Sequence, residues 1–190
     1  MTQFVLASAS PRRALLLSSA GYRFIVDPPE VDESTLSGEH PIAMVERLAM
    51  LKARAGARRH PTMVVVGADT TVILDDTALG KPRDLEHARA MLTSLMGRSH
   101  IVATAVAFVS PDTESVLVDQ STVHMGVLSN DDLDVYLALG ESLDKAGAYA
   151  LQGEGGTFID NIEGLKSTVI GLPIPRVVEA LEVLGIRRSR

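Results

Sequence analysis

Short apolar runs of β-type composition alternate along this chain with segments whose apolar residues recur at helical spacing. This alternation is typical of mixed α/β domains. It predicts strands at 4–7, 22–26, 63–66, 101–109 and 115–123, and helices that begin near residues 10, 40, 84, 129 and 173. The loop Ser110-Pro-Asp-Thr-Glu predicts a hairpin between the last two strands. Whether 71–74 continues the 63–66 strand stays open.

Composition narrows the class of protein. The chain has 190 residues, 46% of them hydrophobic, and a mean hydropathy of +0.18, so it can bury a core. We expect a single domain over 1–190, made of two lobes without a clean linker. The formal net charge of −6 argues against duplex nucleic acid as a partner. The absence of cysteine excludes disulfides, zinc thiolate sites and cysteine nucleophiles.

The sequence shows neither a clear signal peptide nor a membrane-spanning segment, and the predicted location of the protein follows from this. The leucines at 15–17 resemble part of a signal peptide, but no basic segment precedes them and Pro11, Arg12 and Arg13 interrupt the region. No uninterrupted apolar stretch is long enough for a bilayer. We therefore expect a cytoplasmic protein with no membrane partner.

A candidate anion site lies at Ser8-Ala9-Ser10-Pro11-Arg12-Arg13. The serine and proline predict a helix start, whose free N–H groups attract anions. Two arginines in the first turn add guanidinium groups that match phosphate oxygens. The alternative is a capped helix with solvated arginines, and these residues alone do not decide between the two.

Two further motifs could serve a phosphate substrate. In Gly67-Ala68-Asp69-Thr70 the carboxylate is expected at the end of a buried strand, where ligands gather in α/β sheets. Such a carboxylate suits Mg²⁺, although it could also cap a turn. In Gly80-Lys81-Pro82 the glycine and proline restrict where the ammonium points, although the motif could be an ordinary surface loop.

Two further candidates are the pair Glu33 and Lys52 and the glycine-rich stretch 144–156, and each is a weaker indication of function. Glu33 is expected in a loop and Lys52 on the following, largely apolar helix, so the ammonium could be drawn into a cleft; both could equally be solvated. The stretch 144–156 is rich in small residues that let a ligand approach the backbone, and Gln152 could bind a base edge. The alternative is a turn that needs glycine for its backbone angles.

Other chemistries find no support in the sequence. No Ser-His-Asp arrangement stands out, and the five histidines lack the spacing of zinc ligands. Neither a Walker A motif nor a Gly-x-Gly-x-x-Gly fingerprint is present.

Taken together, the motifs resemble those of the Maf family of nucleotide pyrophosphatases in order and spacing over nearly the whole chain. The matching stretches are Ser8-Ala-Ser-Pro-Arg-Arg13, Glu33, Lys52, Gly67-Ala-Asp-Thr70, Gly80-Lys-Pro82, 97–104, Asp144-Lys-Ala-Gly-Ala-Tyr149, Gln152-Gly153 and Val169-Ile-Gly-Leu-Pro173. The resemblance implies a fold like that of inosine triphosphate pyrophosphatases, with an elongated twisted mixed sheet, flanking helices and two lobes around a central cleft.

The resemblance also implies an activity and roles for residues. It implies hydrolysis between the α and β phosphates of a nucleoside triphosphate, aided by Mg²⁺ or Mn²⁺. Asp69 would be the catalytic base or a metal ligand, and Glu33 a metal-site carboxylate. The phosphate-binding cations would be Arg12, Arg13, Lys52 and Lys81. Lys81 would also be a catalytic residue. Ser8 and Lys145 would add contacts with the substrate.

Base preference is predicted from three positions. Arg12, Thr70 and Gln152 resemble the dTTP/UTP type, whereas Thr71 and Ala150 depart modestly from the family pattern. The alternatives are a pyrophosphatase for inosine, xanthosine or 7-methyl-guanosine triphosphate, or a non-catalytic regulator of septum formation that binds nucleotides. A homodimer is compatible with the resemblance, although no interface stripe stands out.

Overall fold

Strands and helices alternate in the computed structural model, which describes residues 4–189. The strands are β1 Phe4–Ala7, β2 Phe24–Val26, β3 Val65–Leu74, β4 Thr77–Leu79, β5 Ser99–Val109, β6 Glu114–Met125 and β7 Ile159–Glu163. The α-helices are α1 Pro11–Ser19, α2 Pro41–Arg59, α3 Leu85–Leu95, α4 Asn130–Ala138, α5 Lys166–Ile170 and α6 Ile174–Val183. The predicted mixed α/β class is confirmed.

The strands of residues 4–189 form a seven-stranded sheet in the order β2-β1-β3-β5-β6-β7, with β4 paired to β3. β1 runs parallel to β2 and β3, whereas β3 with β4 and β6 with β7 are antiparallel. The predicted hairpin is confirmed, because β5 and β6 are neighbours joined by residues 110–113. The sheet is therefore mixed, as expected.

The chain divides into two compact units. The first unit consists of Met1–Asp69, Thr104–Asp119 and Gly171–Arg190, and the second of Thr70–Ala103 and Gln120–Ile170. The residues of β3, β5 and β6 are shared out between the units. Each unit has its own apolar core.

The core of the first unit packs α1 and α6 on the sheet. Its buried side chains include Phe4, Leu6, Leu17, Val66, Val106, Phe108, Leu172, Val177 and Leu181. α1 begins with Pro11, as predicted, and Gly21 after its end has a φ of 87°, which favours glycine. The Ser10 side chain makes no capping hydrogen bond, although the residue occupies the N-cap position.

The core of the second unit packs α3 and α4 on the sheet. Its buried side chains include Val72, Leu92, Leu95, Val102, Val123, Leu133 and Tyr136. Both helices begin where a polar side chain caps them: Asp84 accepts from the His87 backbone N–H at 2.7 Å, and Ser129 from the Asp132 N–H at 3.1 Å. These predicted helix starts are confirmed.

Three short elements were not predicted: β4, β7 and α5. β4 follows a two-residue turn in which Asp75 and Asp76 have φ values of 47° and 61°. Such a turn usually contains glycine or asparagine, so an Asp-Asp pair gave no clear hairpin signal. Within residues 4–189, none of the helices has the length and apolar character needed to cross a bilayer.

Candidate active site

The Lys52 side chain joins two carboxylates of the first unit. Its ammonium nitrogen Nζ lies 2.7 Å from Glu33 Oε2 and 2.7 Å from Asp69 Oδ1. The Lys52 and Asp69 side chains are 10% and 13% exposed, whereas Glu33 is 56% exposed. The structure therefore brings together three of the residues singled out in the sequence, with the two negative charges held by one positive charge.

Close packing of α2 against β3 sets the position of Lys52. A Cβ atom added at Gly67 would lie 2.4 Å from the Ala49 carbonyl oxygen and 2.5 Å from the Ala53 nitrogen, too close for any side chain. Lys52 precedes Ala53 on this buried face of the helix. The helix can approach the strand because residue 67 is glycine, and the lysine is thereby brought to Asp69.

Asp69 lies inside a strand, and the expectation that it ends one is wrong. β3 continues without a break from Val65 to Leu74, through the whole Gly67-Ala68-Asp69-Thr70 motif. The glycine and alanine resemble a turn in the sequence, but Gly67 is small because α2 packs on it, and Ala68 is buried in the core of the first unit. Successive side chains of a strand point to opposite faces, so Asp69 and Thr70 do not share a face of β3.

Arg13 is bound to backbone and side-chain oxygens of the protein itself. Its Nη1 donates to Ser8 Oγ at 3.0 Å and to the Ala68 carbonyl at 2.9 Å, and its Nε donates to the Gly171 carbonyl at 3.1 Å. Burial lowers the pKa of Arg13, an effect opposed by the charges of Asp69 and Glu33. The guanidinium thus ties α1 to the strand residue next to Asp69.

Arg12 differs from its neighbour. It is half-buried and, among residues 4–189, makes no hydrogen bond or ion pair. Of the two arginines predicted to bind phosphate, Arg12 is therefore the one whose donors are unused within the described chain.

Four predicted site residues belong to the second unit: Thr70, Lys81, Lys145 and Gln152. The loops that carry the two lysines are joined, because the Gly147 N–H donates to the Gly80 carbonyl at 3.1 Å. Lys81 and Gln152 are exposed, and Lys145 forms an ion pair with Asp144. Gly147 has a φ of 69° and lies against Val72, where a Cβ would be 2.9 Å from a methyl group. Glycine is required at this position.

The family model described as Maf-like protein matches residues 3–184. The chain belongs to the Maf family. It is 45% identical over 185 residues to a dTTP/UTP pyrophosphatase of Symbiobacterium thermophilum, covering 97% of this chain and 95% of the relative. It is 48% identical over 185 residues to a dTTP/UTP pyrophosphatase of Myxococcus xanthus, covering 97% and 94%. The solved structure of the Staphylococcus aureus Ham1 protein aligns with 66% of this chain and 72% of its own, at 18% identity and a TM-score of 0.48.

The carboxylates of this Maf chain fit a hard divalent cation. Within residues 4–189, no group of three or more His, Asp or Glu side chains is arranged to hold a metal by itself. Glu33 and Asp69, however, converge on one nitrogen, and each keeps a second oxygen that bonds to no described residue. Mg²⁺ is commonly bound by one or two carboxylates together with phosphate oxygens of a substrate. The donor set therefore suits a cation that arrives with a polyphosphate.

Two side chains near the site were not predicted from the Maf sequence. Arg47 forms a bidentate ion pair with Glu39, which lies in the same loop as Glu33. Their spacing of eight residues across a helix start is not a recognised signal, because one partner lies outside the helix. The Gly171 carbonyl accepts a hydrogen bond from Arg13, although the two residues are 158 positions apart in the sequence. No sequence pattern predicts a contact over such a separation.

Proposed function

We propose that this Maf protein is a nucleoside triphosphate pyrophosphatase that hydrolyses dTTP or UTP to the nucleoside monophosphate and pyrophosphate. The observation that carries the proposal is the meeting of Glu33 and Asp69 at Lys52, which joins metal-binding oxygens to a phosphate-binding cation. Relatives that align with nearly the full length of the chain are named dTTP/UTP pyrophosphatases, which supports this choice of substrate.

Glu33 and Asp69 would hold a divalent cation, Mg²⁺ or Mn²⁺. When bound, such an ion lowers the pKa of water and neutralises charge on the phosphates. The reaction adds one water across the anhydride: the water oxygen bonds to the α-phosphorus, and the bond from that phosphorus to the bridging oxygen breaks. The leaving group is pyrophosphate, and the proton of the water goes to a base.

Asp69 is proposed as that base. Its Oδ1 accepts from Lys52, whereas its Oδ2 has no hydrogen-bond partner among residues 4–189 and can accept a proton from water. The hydrogen bond from Lys52 fixes the orientation of the carboxylate. Arg13 supports the strand at Ala68, next to the base.

Contacts with the nucleotide are proposed on the match of motifs and on exposure. Arg12 would bind phosphate with Ser8, Arg13 and Lys52, since guanidinium and ammonium groups stabilise charge on phosphoryl oxygens. In the second unit, Lys81 and Lys145 are proposed as further substrate contacts, and Lys81 as a catalytic cation. A pyrimidine preference is proposed for Arg12, Thr70 and Gln152, as in the dTTP/UTP type of the family.

The substitution Asp69→Asn tests the reaction, because it keeps the size of the side chain and removes the charge. We expect pyrophosphate release with Mg²⁺ to fall by about 10²–10³-fold. Asp112→Asn is the matched control, since Asp112 is an exposed carboxylate of the first unit in the β5–β6 loop. Near-normal release by Asp69→Asn would refute the catalytic assignment.

A panel of dTTP, UTP, ITP and 7-methyl-GTP tests the substrate. The pyrimidine nucleotides should give the highest kcat/KM, and faster release from either purine nucleotide would reverse the proposed preference. Nucleotide binding without any release, with metal present, would replace the enzyme by a non-catalytic regulator.

We also propose a cytoplasmic protein that acts on free nucleotides and binds neither nucleic acid nor membranes. A homodimer belongs to the same proposal, and light scattering at several protein concentrations tests it. A mass of one chain, 20.3 kDa, at every concentration would exclude the dimer.

A further inference from the structure

The segment 27–40, which carries Glu33, has no helix or strand of its own. It connects β2 to α2, and the Glu33 side chain is more than half exposed. A carboxylate that must hold a cation needs a fixed position, because a displacement of about 1 Å can cost about 10²-fold in rate. Something other than secondary structure must therefore fix this segment.

Arg47 supplies contacts on the part of the segment that follows Glu33. Its Nε lies 2.6 Å from Glu39 Oε1 and its Nη2 lies 2.7 Å from Glu39 Oε2, and the same Nη2 donates to the Ser34 carbonyl at 3.1 Å. Glu39 Oε2 also accepts from the Leu36 N–H at 3.3 Å. One guanidinium on α2 thus holds the segment at two points, and one of them is the residue next to Glu33.

The Arg47–Glu39 pair is partly shielded from water. The Arg47 and Glu39 side chains are 29% and 10% exposed. The hydrogen bonds from Arg47 lower the pKa of Glu39, which favours the charged form of the pair. A lysine could not replace the arginine, because an ammonium group lacks the planar fork that reaches both carboxylate oxygens and the carbonyl.

We propose that Arg47 is a positioning residue for the pyrophosphatase reaction, which clamps the segment 27–40 through Glu39 and the Ser34 carbonyl and so holds Glu33 at Lys52. This inference rests on the proposed function for its effect on the rate. The clamp itself concerns the protein without nucleotide or metal, so it can be tested separately.

Arg47→Lys is the test variant, and Arg54→Lys is its matched control. Arg54 lies on the same helix and also grips a carboxylate with two nitrogens, at 3.1 Å and 2.6 Å from Glu114. Its side chain is 55% exposed, and its partner lies on β6, away from the segment 27–40 in sequence. Both variants lose a bidentate ion pair, but only the first loses the clamp.

Hydrogen exchange of the metal-free protein is the first measurement. In Arg47→Lys the amides of residues 33–39 should exchange about tenfold faster than in the wild type, because local opening of the segment becomes easier. Arg54→Lys should leave them unchanged. Equal exchange in the two variants would overturn the clamp, whether or not the protein hydrolyses any nucleotide.

Kinetics with dTTP is the second measurement. Arg47→Lys should lower kcat about tenfold to hundredfold and raise the Mg²⁺ concentration that gives half the maximal rate, with a smaller change in KM for dTTP. Glu39→Gln breaks the same pair from the other side and should do the same. If both variants match Arg54→Lys in kcat and in Mg²⁺ dependence, Arg47 has only a structural role and the proposal is wrong. If the wild type itself releases no pyrophosphate, the proposed function fails and the exchange experiment alone decides on the clamp.

Discussion

The two compact units carry the same number of acidic residues but differ in the number of basic residues and in the polar side chains that they bury. Each contains twelve Asp and Glu, yet the first unit has twelve Lys and Arg and the second has six. The formal charge of −6 of the whole chain thus belongs to the second unit. The first unit buries a lysine against carboxylates, whereas the second buries a neutral His100–Tyr149 pair joined at 2.7 Å.

This difference indicates how each unit can serve an anionic substrate. In the first unit the charges of Lys52 and Arg13 are already engaged with oxygens of the protein. In the second unit Lys81 stands exposed, without a hydrogen bond or ion pair among residues 4–189. A cation that is already paired orders the site before a ligand binds, whereas an exposed, unpaired cation has all of its donors available to the ligand. The two lysines should therefore respond differently to the same substitution.

Replacing Lys52 with methionine should have the largest effect. The change leaves Glu33 and Asp69 as neighbouring negative charges without their shared partner. We expect the free energy of unfolding to fall by about 3 kcal/mol, since breaking a buried ion pair leaves an uncompensated charge. We also expect kcat/KM for dTTP to fall about 10²–10³-fold. Urea unfolding and pyrophosphate release measure the two losses.

Lys166→Met, at an exposed position that starts α5, is the control for Lys52→Met and should change neither quantity. A Lys52→Met protein as stable as the wild type would mean that this ion pair does not hold the first unit together.

His100 should make the second unit sensitive to acid. Burial, with a smaller contribution from His124, lowers the pKa of His100 to about 4, against an ordinary value of 6.5. The unfolded chain therefore binds a proton at higher pH than the folded one, so stability falls as the pH drops from about 6.5 to about 4. The loss should reach about 3 kcal/mol.

The measurement is the free energy of unfolding at several pH values, for the wild type and for His100→Gln. The variant removes the titrating group, so its stability should depend less steeply on pH in this range. Identical slopes for the two proteins would show that His100 is not buried in its neutral form.

Lys81→Met should lower the rate of pyrophosphate release but leave the stability of the protein almost unchanged. Because Lys81 is exposed and unpaired in the described chain, its removal should change the free energy of unfolding by no more than about 0.5 kcal/mol. Loss of the phosphate contact proposed for Lys81 should still lower kcat/KM about hundredfold. A loss of stability as large as that of Lys52→Met would erase the contrast between the two lysines.

The sequence predicted best where local chemistry is strong. The starts of α3 and α4 follow from the caps Asp84 and Ser129, and the β5–β6 hairpin follows from its turn residues. The strand β4 was missed because an Asp-Asp turn is an unusual way to reach positive φ at two positions. Local signals fail when an element is short and its turn is atypical.

The candidate site was predictable as a set of residues but not as a geometry. The motifs singled out Glu33, Lys52 and Asp69, yet nothing local says that one ammonium reaches both carboxylates. The expectation that Asp69 ends a strand was wrong because the continuous apolar run, 63–66, stops before Gly67. The strand is continuous, and the glycine is needed by a helix that packs on it. Contacts between segments distant in sequence decide such cases.

Gly67→Ala tests this explanation, and Gly80→Ala in the second unit is its control. A methyl group at residue 67 would meet backbone atoms of α2 at 2.4 Å and 2.5 Å, and backbone cannot move aside as a side chain can. We expect a loss of about 2 kcal/mol in the free energy of unfolding, typical of an overpacked core. At Gly80 an added methyl group would meet no atom within 4 Å, so it should cost little.

Because the shift of α2 would carry Lys52 away from Asp69, Gly67→Ala should also slow pyrophosphate release under conditions in which the variant is fully folded. An alanine tolerated at residue 67, with unchanged stability and rate, would mean that the close approach of helix and strand does not set the position of Lys52.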